Sequence, residues 1–414
     1  MSVADWKPAK LDELGFVGRG KSRHRPRNAA FLYGGRYPFF QTGDIKAANF
    51  YLTEYSQTYS EEGLAQSKLW KQGTLCITIA ANIAESAILG IEGCFPDSVV
   101  GFVPDADKAD VRFIKYYLEI LKLRMQNISH GATQDNLSLD KLLSFDFLVP
   151  PLPIQRRIAS ILFAYDDLIE NSQRRIKILE SMARAIYREW FVHFRFPGHE
   201  NHPRVASPLG EIPQGWEVKK LGDICTRMES GGTPKRSTME YWDDGEIDWY
   251  KTGELWDAFL FEAQEKITAR GQRESTARLF EPGTILMAIY GSPTVGRMGI
   301  LTTHASCNQA ALGLVADKRI ISQAYLYFVL FSLRDHFNGL AQGAAQQNIS
   351  KEKVSGAMAV VPSHQVLDSF DIQAVPLFEQ VRTLQQQTQT LRRTRDLLLP
   401  RLLSGQIDVE AMPS

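Results

Sequence analysis

The chain has 414 residues, and its 47 Lys and Arg balance 47 Asp and Glu, so no basic field covers the whole molecule. That balance argues against a solitary nucleic-acid binder, whose grip rests on phosphate neutralisation, and leaves room for local basic loops or for charge supplied by a partner. Length predicts two or three domains, and four dispersed cysteines (Cys76, Cys94, Cys225, Cys307) without a C-x-x-C pair read as buried thiols of a reducing cytosol, not as a disulfide framework.

The N-terminal segment has no apolar leader, and no run of about eighteen apolar residues follows, so the expectation is a soluble, cytoplasmic protein. Residues 15–22, Gly15-Phe16-Val17-Gly18-Arg19-Gly20-Lys21-Ser22, satisfy the G-x-x-x-x-G-K-[ST] pattern of a phosphate-binding loop. That loop works only between a buried strand and a helix whose first amides face the phosphates. Here Lys10-Leu11-Asp12-Glu13-Leu14 precedes and Arg23-His24-Arg25-Pro26-Arg27 follows, and Pro26 disfavours a helix. A P-loop nucleotide-binding enzyme is therefore the alternative reading, not the favoured one.

Up to about residue 150 the apolar runs are short and broken by Gly, Pro and Asn. Runs at 37–40, 75–80, 87–91, 99–103 and 145–149 read as strands, with one amphipathic helix at 111–125. After Pro150-Pro151-Leu152-Pro153 the period changes. Apolar residues at Ile154, Ile158, Ile161, Tyr165, Leu168, Ile176, Leu179, Ala183, Ile186 and Trp190 predict one long helix of roughly 55 Å. Pro153 suits its first turn, and Pro197-Gly198 lies beyond its end. Residues 198–214 read as a linker.

The second half repeats the first. Strand-like runs fall at 247–250, 285–290, 299–302, 311–315 and 358–361, with a helix at 322–337. A second long helix is marked by Phe378, Val381, Leu384, Thr388, Leu391, Leu398 and Leu402. Its expected start is Pro376, its stop Gly405, and Pro400 predicts a kink or an early end. At an offset of 210, Trp6 and Leu11 meet Trp216 and Leu221, Phe39-Phe40-Gln41-Thr42-Gly43-Asp44-Ile45 meets Trp249-Tyr250-Lys251-Thr252-Gly253-Glu254-Leu255, and Gly73-Thr74-Leu75 meets Gly283-Thr284-Ile285. At 212, Gly131-Ala132-Thr133-Gln134-Asp135-Asn136 meets Gly343-Ala344-Ala345-Gln346-Gln347-Asn348, and Val149-Pro150 meets Val361-Pro362. The body is built twice, a natural shape for reading the two halves of a DNA site.

The fold class is thus α+β: two strand-rich domains in tandem, each followed by a long helix, with the two apolar seams buried on each other as an antiparallel coiled coil. The domains are residues 1–150 and 215–363, with the first long helix at 151–197 and the second, together with a C-terminal tail, at 364–414. No catalytic constellation emerges. A base-gripping N/D-P-P-Y/F segment and a glycine-rich cofactor turn are missing, and His193, His199 and His202 lack the Cys or carboxylate support of a metal site. The chain is read as non-catalytic, with no metal and no cofactor of its own.

Basic loops are more informative. Lys21, Arg23, Arg25 and Arg27 crowd seven residues, and the same place in the second copy carries Lys235 and Arg236. Two equivalent phosphate-facing loops explain this better than two coincident solvated faces. Residues that read different half-sites must differ between copies. Gln134, Asn136, Gln346 and Asn348 are shared, and so suit loop shaping or partner contact. Ala81-Asn82-Ile83-Ala84-Glu85 and Gly291-Ser292-Pro293-Thr294-Val295 diverge. Asn82, Tyr290 and Arg297 are accordingly the candidates for base readout. On the helices, Ile158, Leu179, Trp190, Leu391 and Leu398 are the candidate partner contacts.

Several segments together resemble the specificity subunits of type I DNA restriction–modification enzymes. They are Gly210-Glu211-Ile212-Pro213-Gln214-Gly215-Trp216-Glu217-Val218 with Lys220-Leu221-Gly222-Asp223-Ile224, Cys307-Asn308-Gln309-Ala310, Pro150-Pro151-Leu152-Pro153 with Gln155-Arg156-Arg157-Ile158-Ala159, and Arg393-Thr394-Arg395-Asp396-Leu397-Leu398-Leu399-Pro400-Arg401-Leu402-Leu403-Ser404-Gly405. The resemblance runs nearly end to end. The first copy departs from it with Arg23–Arg27 where the second has Gly231-Gly232-Thr233-Pro234. It implies two target-recognition domains, each reading one half of a split sequence, and paired helices that set the spacing and dock two methyltransferase subunits. It also implies that S-adenosylmethionine, ATP and magnesium belong to partner subunits, motor-nuclease subunits among them. A free-standing two-headed DNA-binding adaptor is the remaining alternative.

Overall fold

The computed structural model describes residues 6–130, 137–291, 294–342 and 348–411. They form two compact units, residues 1–171 with 389–414 and residues 172–388. The division falls inside both long helices, so each unit combines a globular part with one segment of each helix.

In the first unit a five-stranded sheet has the order Gly15–Arg19, Val99–Pro104, Leu75–Thr78, Ser86–Leu89, Tyr51–Leu52, antiparallel except for the last, parallel pair. Alternation sorts its side chains onto two faces. Leu75, Ile77, Ile88, Val100 and Phe102 face a core shared with Phe113, Ile114, Leu118 and Met125 of the helix Val111–His130. Cys76, Ala87, Leu89 and Val99 face Phe40, Trp70 and Phe95 instead. Both faces are covered, which is why these strands read as continuous apolar runs. Gly101 makes room for the aromatic side: a Cβ there would lie 2.7 Å from the Trp70 indole and 2.8 Å from the Phe95 ring.

The second unit has the same sheet in the same order and senses, Cys225–Ser230, Ala311–Ala316, Ile285–Ala288, Met298–Leu301, Ala258–Leu260. Gly313 takes the place of Gly101, with Phe280 at 2.3 Å from the position a Cβ would fill. The single helix of the first unit becomes two, Gln323–Ser332 and Arg334–Gln342. The linker is not featureless: Arg204–Ser207 and Gly210–Pro213 form a hairpin.

Both long helices are present, Leu152–Tyr187 and His364–Leu403. The first runs into a short π turn, Arg188–Val192. The second begins twelve residues before the expected Pro376, which sits in its interior, and it continues three residues past Pro400. Val366, Leu367, Phe370 and Ala374 carry the apolar spacing upstream of that proline, and the burial of Leu367, Phe370 and Ala374 outweighs one lost backbone hydrogen bond. In the first unit Ile154, Ile158 and Leu162 share a core with Leu402 and Leu403. Asp166 there accepts from Tyr116 Oη at 2.5 Å and from Arg395 Nη1 at 2.5 Å. In the second unit the rings of Tyr187, Trp190 and Phe191 pack on Phe370.

Candidate nucleic-acid interface

The first basic loop leaves the edge strand Gly15–Arg19 and is held by its backbone. Gly20 N donates to Val99 O and Lys21 N to Phe95 O. The amides of Arg23 and His24 both donate to Gln66 Oε1, at 2.6 and 3.0 Å, and Ser67 Oγ donates to Lys21 O. The four cations then divide. Arg25 Nη1 turns back onto the carbonyls of Ser22, Arg23 and His24. Arg27 forks onto Asp97 at 2.8 and 2.9 Å. Lys21 and Arg23 are exposed, and among the described residues no carboxylate pairs with either. A charge that sequence reading missed joins them: Lys68 lies 3.5 Å from the Trp70 ring centroid and 4.6 Å from that of Phe16. Burial, and then repulsion from Lys21, lowers its pKa. Free positive charge next to an exposed phenyl ring suits a phosphate–sugar backbone.

No nucleotide cradle exists here. Gly15–Arg19 is an edge strand and not a central one, and the element after Lys21-Ser22 is the short 3-10 turn Ala30–Leu32. Without a helix start there are no convergent amides for a triphosphate.

The second basic loop leaves the corresponding edge strand, Cys225–Ser230. Gly231 N donates to Ala311 O and Gly232 N to Cys307 O, while Trp249 Nε1 donates to Gly232 O. Thr233 Oγ1 lies 2.5 Å from Gln309 Oε1. Arg236 stacks on Trp242 at 3.7 Å and pairs with Glu265 at 2.7 Å. Burial works to raise the Glu265 pKa, but its bonds from Arg236 and Lys251 prevail and lower it. Lys235 remains exposed. So the loops occupy one place in both copies, and in each only part of the charge is unspent.

The diverging loops join equivalent strands. In the first unit, Ala81 and Ala84 take left-handed backbone conformations (φ 61° and 62°). Asn82 Oδ1 accepts from Lys46 Nζ at 3.3 Å, and Glu85 pairs with Lys122 at 2.7 Å. In the second, Tyr290 is exposed and bridges Asn348, whose Oδ1 accepts from Gly291 N at 3.1 Å. Asn348 therefore shapes the loop. Arg297 lies over the Trp256 ring at 4.5 Å. Gln134, Asn136, Ser292, Pro293 and Gln346 lie outside the described residues.

The helix candidates separate by burial. Ile158 and Trp190 are enclosed in the cores of their own units and offer no free surface. Leu179, Leu391 and Leu398 are half-buried. Apolar side chains that do face solvent are Leu168 and Leu397 in the first unit and Ile178, Met182, Ile372 and Val375 in the second.

Nucleophilic chemistry has no support in the thiols. Burial pushes Cys94 up to about 11 and both Cys225 and Cys307 to about 12, and raises Cys76 as well. All stay protonated near neutral pH. Among the described residues no cluster of His, Cys, Asp or Glu is arranged to hold a metal ion, and no helix is long and apolar enough to cross a membrane.

Comparison with known proteins points one way. The sequence model of the type I restriction modification DNA specificity domain matches twice, at residues 4–181 and 213–391. The type I restriction enzyme MjaIX specificity subunit of Methanocaldococcus jannaschii is 25% identical over 418 residues, covering 99% of this chain and 95% of that one. The HindI specificity subunit of Haemophilus influenzae is 22% identical and covers 98% and 100%. The crystal structure of a type I restriction-modification S subunit from M. genitalium shares the fold, with a TM-score of 0.65, 16% identity and 96% of each chain covered.

Proposed function

The chain belongs to the type I restriction–modification DNA specificity family, with two copies of the domain, and from that premise we propose how its parts divide the work. It is the subunit that gives such a system its sequence specificity. Each unit reads one half of a bipartite DNA site. The edge-strand loops, through Lys21, Arg23, Lys68 and Lys235, hold the phosphate backbone and fix register. The strand-joining loops around Asn82, Tyr290 and Arg297 face base edges.

The two long helices pair as an antiparallel coiled coil and set the gap between half-sites. Their solvent-facing apolar residues receive two methyltransferase subunits, and motor-nuclease subunits complete the assembly. S-adenosylmethionine, ATP and magnesium serve those partners. The observation that carries this reading is a sheet repeated strand for strand and bearing different loop side chains in its two copies. A shared frame with unlike tips is what reading two unlike half-sites requires.

Mapping methylated adenines in a host genome with and without this chain tests it. One bipartite motif should disappear on deletion and return on complementation. An unchanged methylation map would contradict the reading.

A further inference from the structure

Trp256 is 66% exposed, more than any other aromatic side chain described as exposed. Its backbone is nevertheless locked on both sides. Leu255 is fully buried, and Asp257 adopts a left-handed conformation, φ 60°. Asp257 N donates to Met298 O at 2.7 Å, and Met298 N returns to Asp257 Oδ1 at 3.0 Å. Arg334 Nη1 and Nη2 fork onto the Asp257 carboxylate at 2.9 and 2.5 Å, and Tyr327 Oη donates to the Asp257 carbonyl. The same guanidinium donates through Nε to Gly296 O at 2.9 Å. One arginine thus ties the Trp256 turn to the end of the 290–297 loop, and a non-glycine residue stays in a disfavoured conformation to hold the indole outward.

On that indole lies Arg297, with no carboxylate partner among the described residues. A guanidinium held over an aromatic face by cation–π attraction keeps N–H groups free at its edge. The two parallel donors of a guanidinium match two adjacent acceptors, and the base edge that presents them is the O6/N7 pair of guanine in the major groove.

The first unit holds different chemistry in the same frame. At the offsets that align the copies, Trp256, Arg297 and Arg334 fall on Lys46, Glu85 and Lys122. There Lys46 bonds Asn82 and Lys122 bonds Glu85. The position that carries Arg297 over an indole in one copy carries Glu85, paired with Lys122, in the other, and the position of the indole carries Lys46.

We propose that Arg297 reads a guanine in the half-site of the second unit, and that Trp256 is its positioning residue. This rests on the reading of each unit as a DNA-recognition domain. The test is binding of the full chain, assembled with its methyltransferase subunits, to duplexes randomised at each half-site. Arg297→Ala should lose preference for guanine at one position of one half-site by about 10- to 100-fold, leaving the other half-site unchanged. Trp256→Ala should weaken the same position with unchanged melting temperature, and Trp256→Phe should restore most of it. Placing 7-deazaguanine there should penalise the wild type and add nothing to Arg297→Ala.

A uniform loss over all sequences in Arg297→Ala would make this side chain a phosphate contact, and unchanged preference would make it a bystander. Either result overturns the assignment while recognition stands. A wild-type complex without sequence preference would overturn the recognition reading as well.

Discussion

Among the basic-loop residues, the division between spent and unspent charge decides what each does. Arg25 and Arg27 are engaged by their own unit, which leaves Lys21 and Arg23 to serve as the proposed phosphate contacts of the first loop. Lys21→Ala and Arg23→Ala should each weaken binding across sequences and reduce the magnitude of the salt slope by about 1, measured by titration at several ionic strengths. Arg25→Ala removes the braces on three carbonyls and should disturb the loop without that unit change in slope. That the two loops hold equivalent places was legible in the sequence, but their bonds were not, because Asp97 and Gln66 lie far along the chain from the arginines they hold. Trp256 was illegible for another reason: a single tryptophan reads as core, and only the locked turn shows that it is not. The thiols make a pH prediction. Their folded pKa values are raised above the unfolded value of about 8.5, so the unfolded chain loses these protons first. Stability to urea should be level up to about pH 8 and fall as pH rises toward the folded values. Cys76→Ala and Cys307→Ala should flatten that fall.

Individual strands and helices were legible where one period ruled a segment. Buried strands appeared as short apolar runs, and the long helices as spacings of three and four. The second helix starts at His364, the boundary expected for the helical segment, while the apolar seam alone points to Pro376, which suits a first turn but sits in the helix interior. The true signal, Leu367, Phe370 and Ala374 upstream, was present in the sequence at the correct spacing. Within the first unit Asp166 of the first helix joins Tyr116 to Arg395 near the end of the second. Asp166→Ala leaves that guanidinium and that phenol without their shared acceptor, and should destabilise the first unit by about 2 kcal/mol in urea unfolding. Asp166→Asn should recover part of it. A loss within error of zero would mean that the apolar contacts of Ile158, Leu162 and Leu402 hold the helix ends alone.

Taken whole, the chain is a duplicated frame whose copies agree in sheet order, strand sense and the sheet glycines Gly101 and Gly313, and disagree in their loops. The duplication was legible because framework residues recur at fixed offsets. The bases read were not, because the loop residues that would recognise them are those freed from the repeat. If the long helices pair and act as the proposed ruler, one heptad inserted in each adds about 10 Å, or about three base-pair steps, to the gap between half-sites. Methylation mapping of the insertion variant should show that longer gap with both half-sites intact, and an unchanged gap would remove the ruler. The most direct measurement of the central claim exchanges residues 1–150 for the first domain of another family member and maps methylated sites. Independent reading predicts a new first half-site beside an unaltered second one, whereas a change in both halves, or in neither, would contradict it.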